Sequence, residues 1–202
     1  MKTERQRRPA ADATPDRDLF FNIINRFVGL FTSESNRTTR NDPASEYPFV
    51  AMDTRQVYAQ LCFAKKYLGL PDEAGDAPRP TLLDIGCGIG NVLLFAEQLG
   101  FEVYGIEKDP YPCSIARRLF GEKRVGQHDI WSYGRYNDFD VLYYFRPFSD
   151  REPQRRFEAM IDDRLKPGGL LIANHRSSDD IDRDPRFVRL SPRLPIWAKK
   201  PA

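Results

Sequence analysis

Three carboxylates and a run of glycines mark where this chain could do chemistry. Asp84 lies in a short apolar run, Thr81-Leu-Leu-Asp-Ile85, and glycines follow at 86, 88 and 90 around Cys87, before a helical pattern opens at Asn91. A strand that ends in a glycine-rich turn and feeds a helix lets the backbone approach a ligand closely, because a Cβ would block both the turn and the ligand. Glu107 ends a second apolar run, Glu102-Val-Tyr-Gly-Ile-Glu107. It lies about 20 residues beyond the glycines, a spacing at which an acid commonly holds ribose hydroxyls. Asp129 follows in Gln127-His-Asp-Ile130. Two common nucleotide sites do not fit. A dinucleotide fingerprint needs glycine where Asn91 stands, and a phosphate-cradling P-loop needs Lys-Ser/Thr after its glycines.

The elements that must position these groups alternate. Strands are expected at 81–85, 102–107, 124–128, 139–145 and 169–175, with helices at 91–99, 111–120 and 151–165 between them. Such alternation implies a parallel sheet covered by helices. A last pair, Phe187–Leu190 and Pro195–Lys199, is expected as a hairpin. Only Trp131–Asp138 joins the third and fourth strands, and Ser177–Arg186 is too short and polar for a covering helix, so the fold is a minimal one. Ligands of open parallel sheets bind beyond the carboxyl ends of the strands. That rule selects Asp84–Gly90, Glu107, Asp129, Tyr144–Phe148 and Asn174–Arg176.

The ordered set Asp84-Ile-Gly-Cys-Gly-Ile-Gly90, Glu107, Gln127–Ile130, Phe139–Phe145 and Leu165-Lys-Pro-Gly-Gly-Leu-Leu-Ile172 resembles the class I S-adenosylmethionine (SAM) methyltransferases over residues 81–175. The resemblance implies an α/β, Rossmann-like methyltransferase sheet, mostly parallel with a C-terminal antiparallel hairpin, preceded by an N-terminal helical extension. It implies SAM as cofactor, held by Asp84, Gly86, Cys87, Gly88, Gly90, Glu107, Lys108, Asp129 and Ile130. Asp129 would meet the exocyclic amine of the adenine, with His128 on its rim. SAM carries a sulfonium and an amino-acid end, so a carboxylate beside the first glycine is electrostatically sensible. Methyl transfer needs positioning above all, and a base only where the acceptor arrives protonated.

The implied catalytic candidates are His175 as a general base, Arg146 as a partner for an acidic substrate group, and Tyr144 at the fourth strand's end. Tyr143 and Tyr144 alternate across the sheet, so one of them faces the ligand. Tyr47, Phe49, Tyr144, Phe145 and Phe148 could enclose a methyl group or an alkylammonium. Methyltransferases of nucleic-acid bases often carry Asp/Asn-Pro-Pro-Tyr/Phe after the fourth strand. Here Phe145-Arg-Pro-Phe148 stands in its place, which disfavours that acceptor and also the acidic polyamine pocket of aminopropyl transfer. The expected activity is methyl transfer to a small molecule or a protein side chain. The segments Tyr47-Pro-Phe-Val50 and Gly105-Ile-Glu-Lys-Asp-Pro-Tyr111 resemble the small protein-lysine methyltransferases of the ATP synthase c-subunit type, so protein-lysine N-methylation is one alternative. A SAM-binding interaction module without catalysis is another.

Composition bounds the partners. Lys2, Arg5, Arg7 and Arg8 against Glu4 contribute +3 to a net charge of +2, leaving the body near −1 and without a nucleic-acid field. Cys62, Cys87 and Cys113 have no metal-ligand spacing, so no metal is expected, and their odd number suits a reducing, cytoplasmic compartment. No apolar run approaches the ~20 residues of a membrane span. Residues 1–17 read as a disordered basic tail. Residues 18–46 read as an amphipathic helix over 19–31, capped by Asp18, and a polar linker from 32. The methyltransferase domain occupies 47–202, with a helical lead-in over 47–80 and the core over 81–202. That lead-in holds a helix capped at Asp53 or Thr54 and a linker over Pro71–Pro80. The 19–31 helix has an unusually wide apolar face. It asks for a partner: the protein's own body, a dimer mate, or a membrane surface to which the protein would be peripheral.

Overall fold

The computed structural model describes residues 15–42, 44–71 and 78–201. The tail expected over 1–17 therefore falls almost wholly outside the described residues, as does most of the 71–80 linker. Two helices come first, α1 (Pro15–Thr38) and α2 (Thr54–Tyr67). Then strands and helices alternate: β1 (Thr81–Ile85), α3 (Asn91–Gln98), β2 (Glu102–Glu107), α4 (Pro110–Phe120) and β3 (Val125–Gln127). A single 3-10 turn, Tyr136–Asp138, leads to β4 (Val141–Phe145), α5 (Arg151–Arg164) and β5 (Leu170–Asn174). The four-residue α6 (Asp180–Arg183) precedes β6 (Phe187–Arg189) and β7 (Ile196–Lys199).

The strands form one sheet in the order β3-β2-β1-β4-β5-β7-β6. The first five are parallel, and β7 runs antiparallel to both β5 and β6. The order reverses between β1 and β4, which makes their carboxyl ends the topological switch point. Alternation along each strand divides the core in two. Leu82, Val103, Val141, Tyr143 and Ile172 pack with Val57 and Leu61 of α2 and Leu93 and Phe95 of α3. Leu83, Ile85, Leu142, Tyr144 and Leu171 pack with Phe157 and Ile161 of α5. The minimal character read from the sequence holds on this second face, where α5 is the one long helix among the described residues.

Asp53 caps α2 as expected, its carboxylate accepting the Gln56 N–H at 2.8 Å. The start and end of α1 differ from expectation. The helix begins at Pro15 and runs to Thr38, so Asp18 lies in its first turn beside Asp16 and the polar linker begins only after residue 38. Proline suits a helix start, and acids in the first turn offset the positive end of the helix dipole. Through the polar stretch the hydroxyls of Thr32 and Thr38 donate back to the carbonyls of Val28 and Glu34, and Arg37 pairs with Glu34. No proline or glycine stops the helix there. The wide apolar face of α1 divides in two. Phe21 and Ile24 are buried, Phe20 meets Phe95 edge-on at 5.3 Å, and Phe21 meets Tyr58 at 5.3 Å. Leu19, Ile23 and Leu30 remain in solvent.

Candidate active site

A cleft enclosing about 960 Å³, its open mouth included, lies beyond the carboxyl ends of β1, β2 and β4. Asp84, Gly86 and Cys87 form its floor, with Asn91 and Val92 opening α3 behind them. Ile106, Glu107, Lys108 and Asp109 come from the end of β2. His128 to Trp131 follow β3, and Tyr143 with Phe145 to Phe148 come from β4 and the turn after it. The fourth wall is the segment Glu46–Met52, of which only Tyr47 and Phe49 were expected near the methyl group.

The floor is acidic and buried. Asp84 is 2% exposed, and among the described residues no donor or cation meets its carboxylate. Burial pushes this carboxyl well above its ordinary 3.8, and the like charge of Glu107 adds to the rise. Glu107 is also buried. Its two oxygens accept the N–H groups of Gly88 at 2.9 Å and Asp109 at 2.7 Å, so the acid organises the glycine turn itself. Desolvation nevertheless holds its pKa above the ordinary 4.5. Two buried acids in one pocket, one of them without a donor, are suited to a ligand that brings its own cation. Asp129 lies at the rim, accepting the Trp131 N–H at 2.8 Å, with Lys108 3.7 Å away. Lys108 is committed to Glu46 at 2.7 Å.

The glycines differ in their duties. Gly86, Gly88 and Gly90 all have positive φ, which a side chain would strain. Gly86 lines the cleft with open space where its Cβ would be. A Cβ on Gly88 would run into the ring of Phe49, and one on Gly90 would meet Phe120 and Ala116 of α4. Gly90 thus serves helix packing in this structure rather than lining the cleft, although the sequence grouped it with the cofactor contacts. Cys87 is buried and burial raises its thiol pKa, so it packs rather than reacts.

The segment over the cleft is laced to the turn after β4. Tyr47 donates its N–H to Pro147 O at 3.1 Å, Ser149 N donates to Ser45 O at 3.1 Å, and Glu46 bridges to Phe148. Further on, the Tyr143 hydroxyl donates to Met52 Sδ at 2.9 Å. Register explains why Tyr143 is the tyrosine in the cleft: it pairs with Asp84 across β1 and β4 and shares its face. This corrects the choice of Tyr144. Tyr144 lies on the opposite face, fully buried against Phe157, and its hydroxyl accepts from Arg176 at 3.2 Å.

His175 lies just past β5 at φ 56, the left-handed region that few side chains adopt. It is exposed and outside the cleft lining, and its ring meets Phe145 edge-on at 5.1 Å. Arg146 does line the cleft, but its guanidinium donates to the carbonyls of Phe148 and Ser149 and lies over the Tyr47 ring. Of the expected aromatic set, Tyr47, Phe49, Phe145 and Phe148 surround the cleft, joined by Trp131 stacked on Phe148. Behind them Glu158, 1% exposed, accepts from Gln154 and from the N–H groups of Ser177 and Ser178. Gln154 in turn accepts the Phe148 N–H at 3.2 Å. One buried pair on α5 therefore ties the turn after β4 to the turn after β5. No sequence signal marked either residue.

A family profile described as "Methyltransferase domain" matches residues 54–195. The chain belongs to this methyltransferase family. Solved structures similar to this chain include a SAM-dependent methyltransferase from Clostridium acetobutylicum, at 16% identity and a TM-score of 0.49, covering 75% of this chain and 57% of that one. An amino pentose methyltransferase from Micromonospora echinaspora shares 20% identity at a TM-score of 0.46, covering 63% of this chain and 58% of that one. An RNA methyltransferase from Salinibacter ruber shares 16% identity at a TM-score of 0.49, covering 77% of this chain and 94% of that one. The chain thus spans little more than half the length of the first two. Curated protein sequences return no match. Among the described residues no group of three or more His, Cys, Asp or Glu could hold a metal, and no helix is long and apolar enough to cross a membrane.

Proposed function

We propose that this protein transfers a methyl group from SAM to a small, planar and largely apolar acceptor. The observation that carries the reading is the buried Asp84 carboxylate, facing the cleft beside Glu107 with no donor among the described residues. SAM, when bound, supplies an electrophilic methyl on a sulfonium, together with an ammonium suited to such an acid. Asp84 holds the cationic end of the ligand. Glu107 fixes the glycine turn through Gly88 and offers its carboxylate to hydroxyl groups. Asp129 and Ile130 border the adenine, and His128 and Trp131 close that side.

The acceptor half is built from Tyr47, Phe49, Tyr143, Phe145 and Phe148. Its acid, Glu46, is already paired with Lys108. That wall favours a ring or other planar group over a lysine ammonium, which would ask for a free carboxylate. It works by holding the acceptor in attack geometry, the main requirement of an in-line displacement. His175, at the rim, takes a proton only from an acceptor that reaches past Phe145.

Two measurements test the proposal together: calorimetric binding of SAM and of its demethylated product, and release of that product in the presence of aromatic acceptors and of lysine peptides. Tight SAM binding with turnover on aromatic acceptors is expected. Turnover on peptides alone would replace the acceptor, and binding without any turnover would make the protein an interaction module. Absence of SAM binding would overturn the reading.

A further inference from the structure

Asp109 is the N-cap of α4, yet its side chain caps nothing. A capping carboxylate accepts the N–H of the second or third helical residue. In Asp109-Pro-Tyr-Pro112 the first and third of these are prolines, which have no N–H, and the carboxylate makes no capping bond. It turns instead to the chain leaving α1, where Oδ1 accepts the Arg40 N–H at 3.2 Å. The other oxygen, Oδ2, is buried with no hydrogen-bond partner, on a residue 2% exposed. Asn41, the neighbour of Arg40, repeats the pattern. Its Nδ2 donates to Tyr47 O at 3.0 Å, which fixes the orientation of the amide. Its Oδ1 is the atom left over, and it too is buried with no donor. Both residues line the cleft. Asp109 lies there beside Glu107, to which its own N–H donates at 2.7 Å.

We infer that Asp109 and Asn41 accept one hydroxyl of the cofactor's ribose while Glu107 takes the other, so that the segment after α1 belongs to the cofactor site. The inference rests on the SAM reading proposed above. A buried acceptor without a donor is unfavourable, and two such oxygens on one wall ask for a ligand that brings a donor. The ribose diol offers two donors side by side. Glu107 meets it with both oxygens already accepting a backbone N–H, from Gly88 and from Asp109. The second hydroxyl therefore gains most from the two oxygens that have no donor. The SAM ammonium is a poorer occupant, because Asp84 on β1 is the acid open to it and Asp109 stands beyond the neighbouring strand, β2. The same contacts fasten the chain. Asp109 holds Arg40 and Asn41 holds Tyr47, so a hydroxyl bonded to both ties the approach to the Glu46–Met52 wall to the end of β2.

The test is calorimetric binding of S-adenosylhomocysteine to the full chain, beside two analogues that each lack one ribose hydroxyl. The wild type should lose about tenfold in affinity for either missing hydroxyl. In the double variant Asn41→Ala, Asp109→Ala the loss for one hydroxyl should shrink to about threefold or less, while the loss for the other persists. Both losses unchanged in the folded double variant would mean that water fills the two oxygens, and overturn the proposal. Equal weakening of all three ligands overturns it too, because a merely structural role moves them together. Should the double variant not melt cooperatively, Asn41→Ala decides alone, since Asn41 lies outside every helix and strand. It should shrink the loss for the same hydroxyl by about threefold, and an unchanged ratio overturns the proposal. Wild-type protein that binds none of the three ligands overturns the SAM reading and this inference with it, whereas binding without a change in the ratio overturns this inference alone.

Discussion

Replacing Glu107 with glutamine leaves shape and volume almost unchanged but removes the charge and half the accepting capacity. The carboxylate accepts two backbone N–H groups, from Gly88 at 2.9 Å and from Asp109 at 2.7 Å, in a site only 9% exposed. A glutamine can accept one of them with its oxygen and turns an NH₂ toward the other. The loss is one charge-assisted hydrogen bond, about 1.5–3 kcal/mol, with one buried donor left unpaired. Removing a desolvated charge offsets part of this in the ligand-free protein, so the melting temperature should fall by only a few degrees. SAM binding has no such compensation, because both the turn and the hydroxyl partner are lost. At 1.4 kcal/mol per factor of ten, Glu107→Gln should weaken SAM affinity by about 10- to 100-fold. Isothermal calorimetry on the folded variant is the assay. An affinity within about threefold of wild type would refute the assignment of Glu107 to the cofactor half.

The two acids also predict a pH response. Both carboxyls titrate above their unfolded values of 3.8 and 4.5. The folded ligand-free protein thus holds more protons than the unfolded chain, and their contribution to stability falls as pH rises above those values. Asp84→Asn should flatten that fall in thermal melts, and should abolish the proton release on SAM binding that calorimetry in buffers of different ionisation enthalpy detects. Tyr144→Phe should cost about 0.5–1.5 kcal/mol of stability and leave SAM affinity unchanged; a large loss of affinity in a folded variant would return Tyr144 to the cleft. Gly88→Ala, at positive φ and against Phe49, should cost about 1–2 kcal/mol from backbone strain alone, and Phe49→Ala should recover the steric part in a double-mutant cycle. His175→Gly relieves a left-handed residue, so it should not destabilise, yet turnover should drop by ~10²-fold if the imidazole is a general base. Equal turnover and an identical pH–rate profile would leave catalysis to positioning.

Most of the sheet was legible because buried parallel strands leave short apolar runs between glycine-rich turns, and β1, β2, β4 and β5 all do so here. The acidic floor was legible for the same reason, since Asp84 and Glu107 stand where those runs end. The phase of β4 was not. Alternation says that Tyr143 and Tyr144 point to opposite faces, but which one shares a face with Asp84 is set by the register of β4 on β1, a pairing across almost sixty residues of chain. The polar end of α1 was missed because Thr32–Thr38 has no apolar periodicity, and its Thr hydroxyls, which as a type favour caps and turns, instead bond back to carbonyls within the helix. Gly88 and Gly90 look alike in sequence. Their duties diverge only because Phe49 covers one and α4 the other. The Gln154–Glu158 pair is a purely tertiary device, and nothing in a string of polar residues on α5 distinguishes it.

The placement of Phe49 over Gly88 has a kinetic consequence. Phe49 packs directly on Gly88, so a ligand reaches the turn at that point only when the Glu46–Met52 segment lifts. The hold on the segment is made of pieces of unequal strength: backbone bonds to Pro147, a half-exposed ion pair between Glu46 and Lys108, and the Met52 contact with Tyr143. The ion pair is the part that salt screens. If the cleft takes SAM as proposed, salt is expected to shorten the residence of the spent cofactor under this strap.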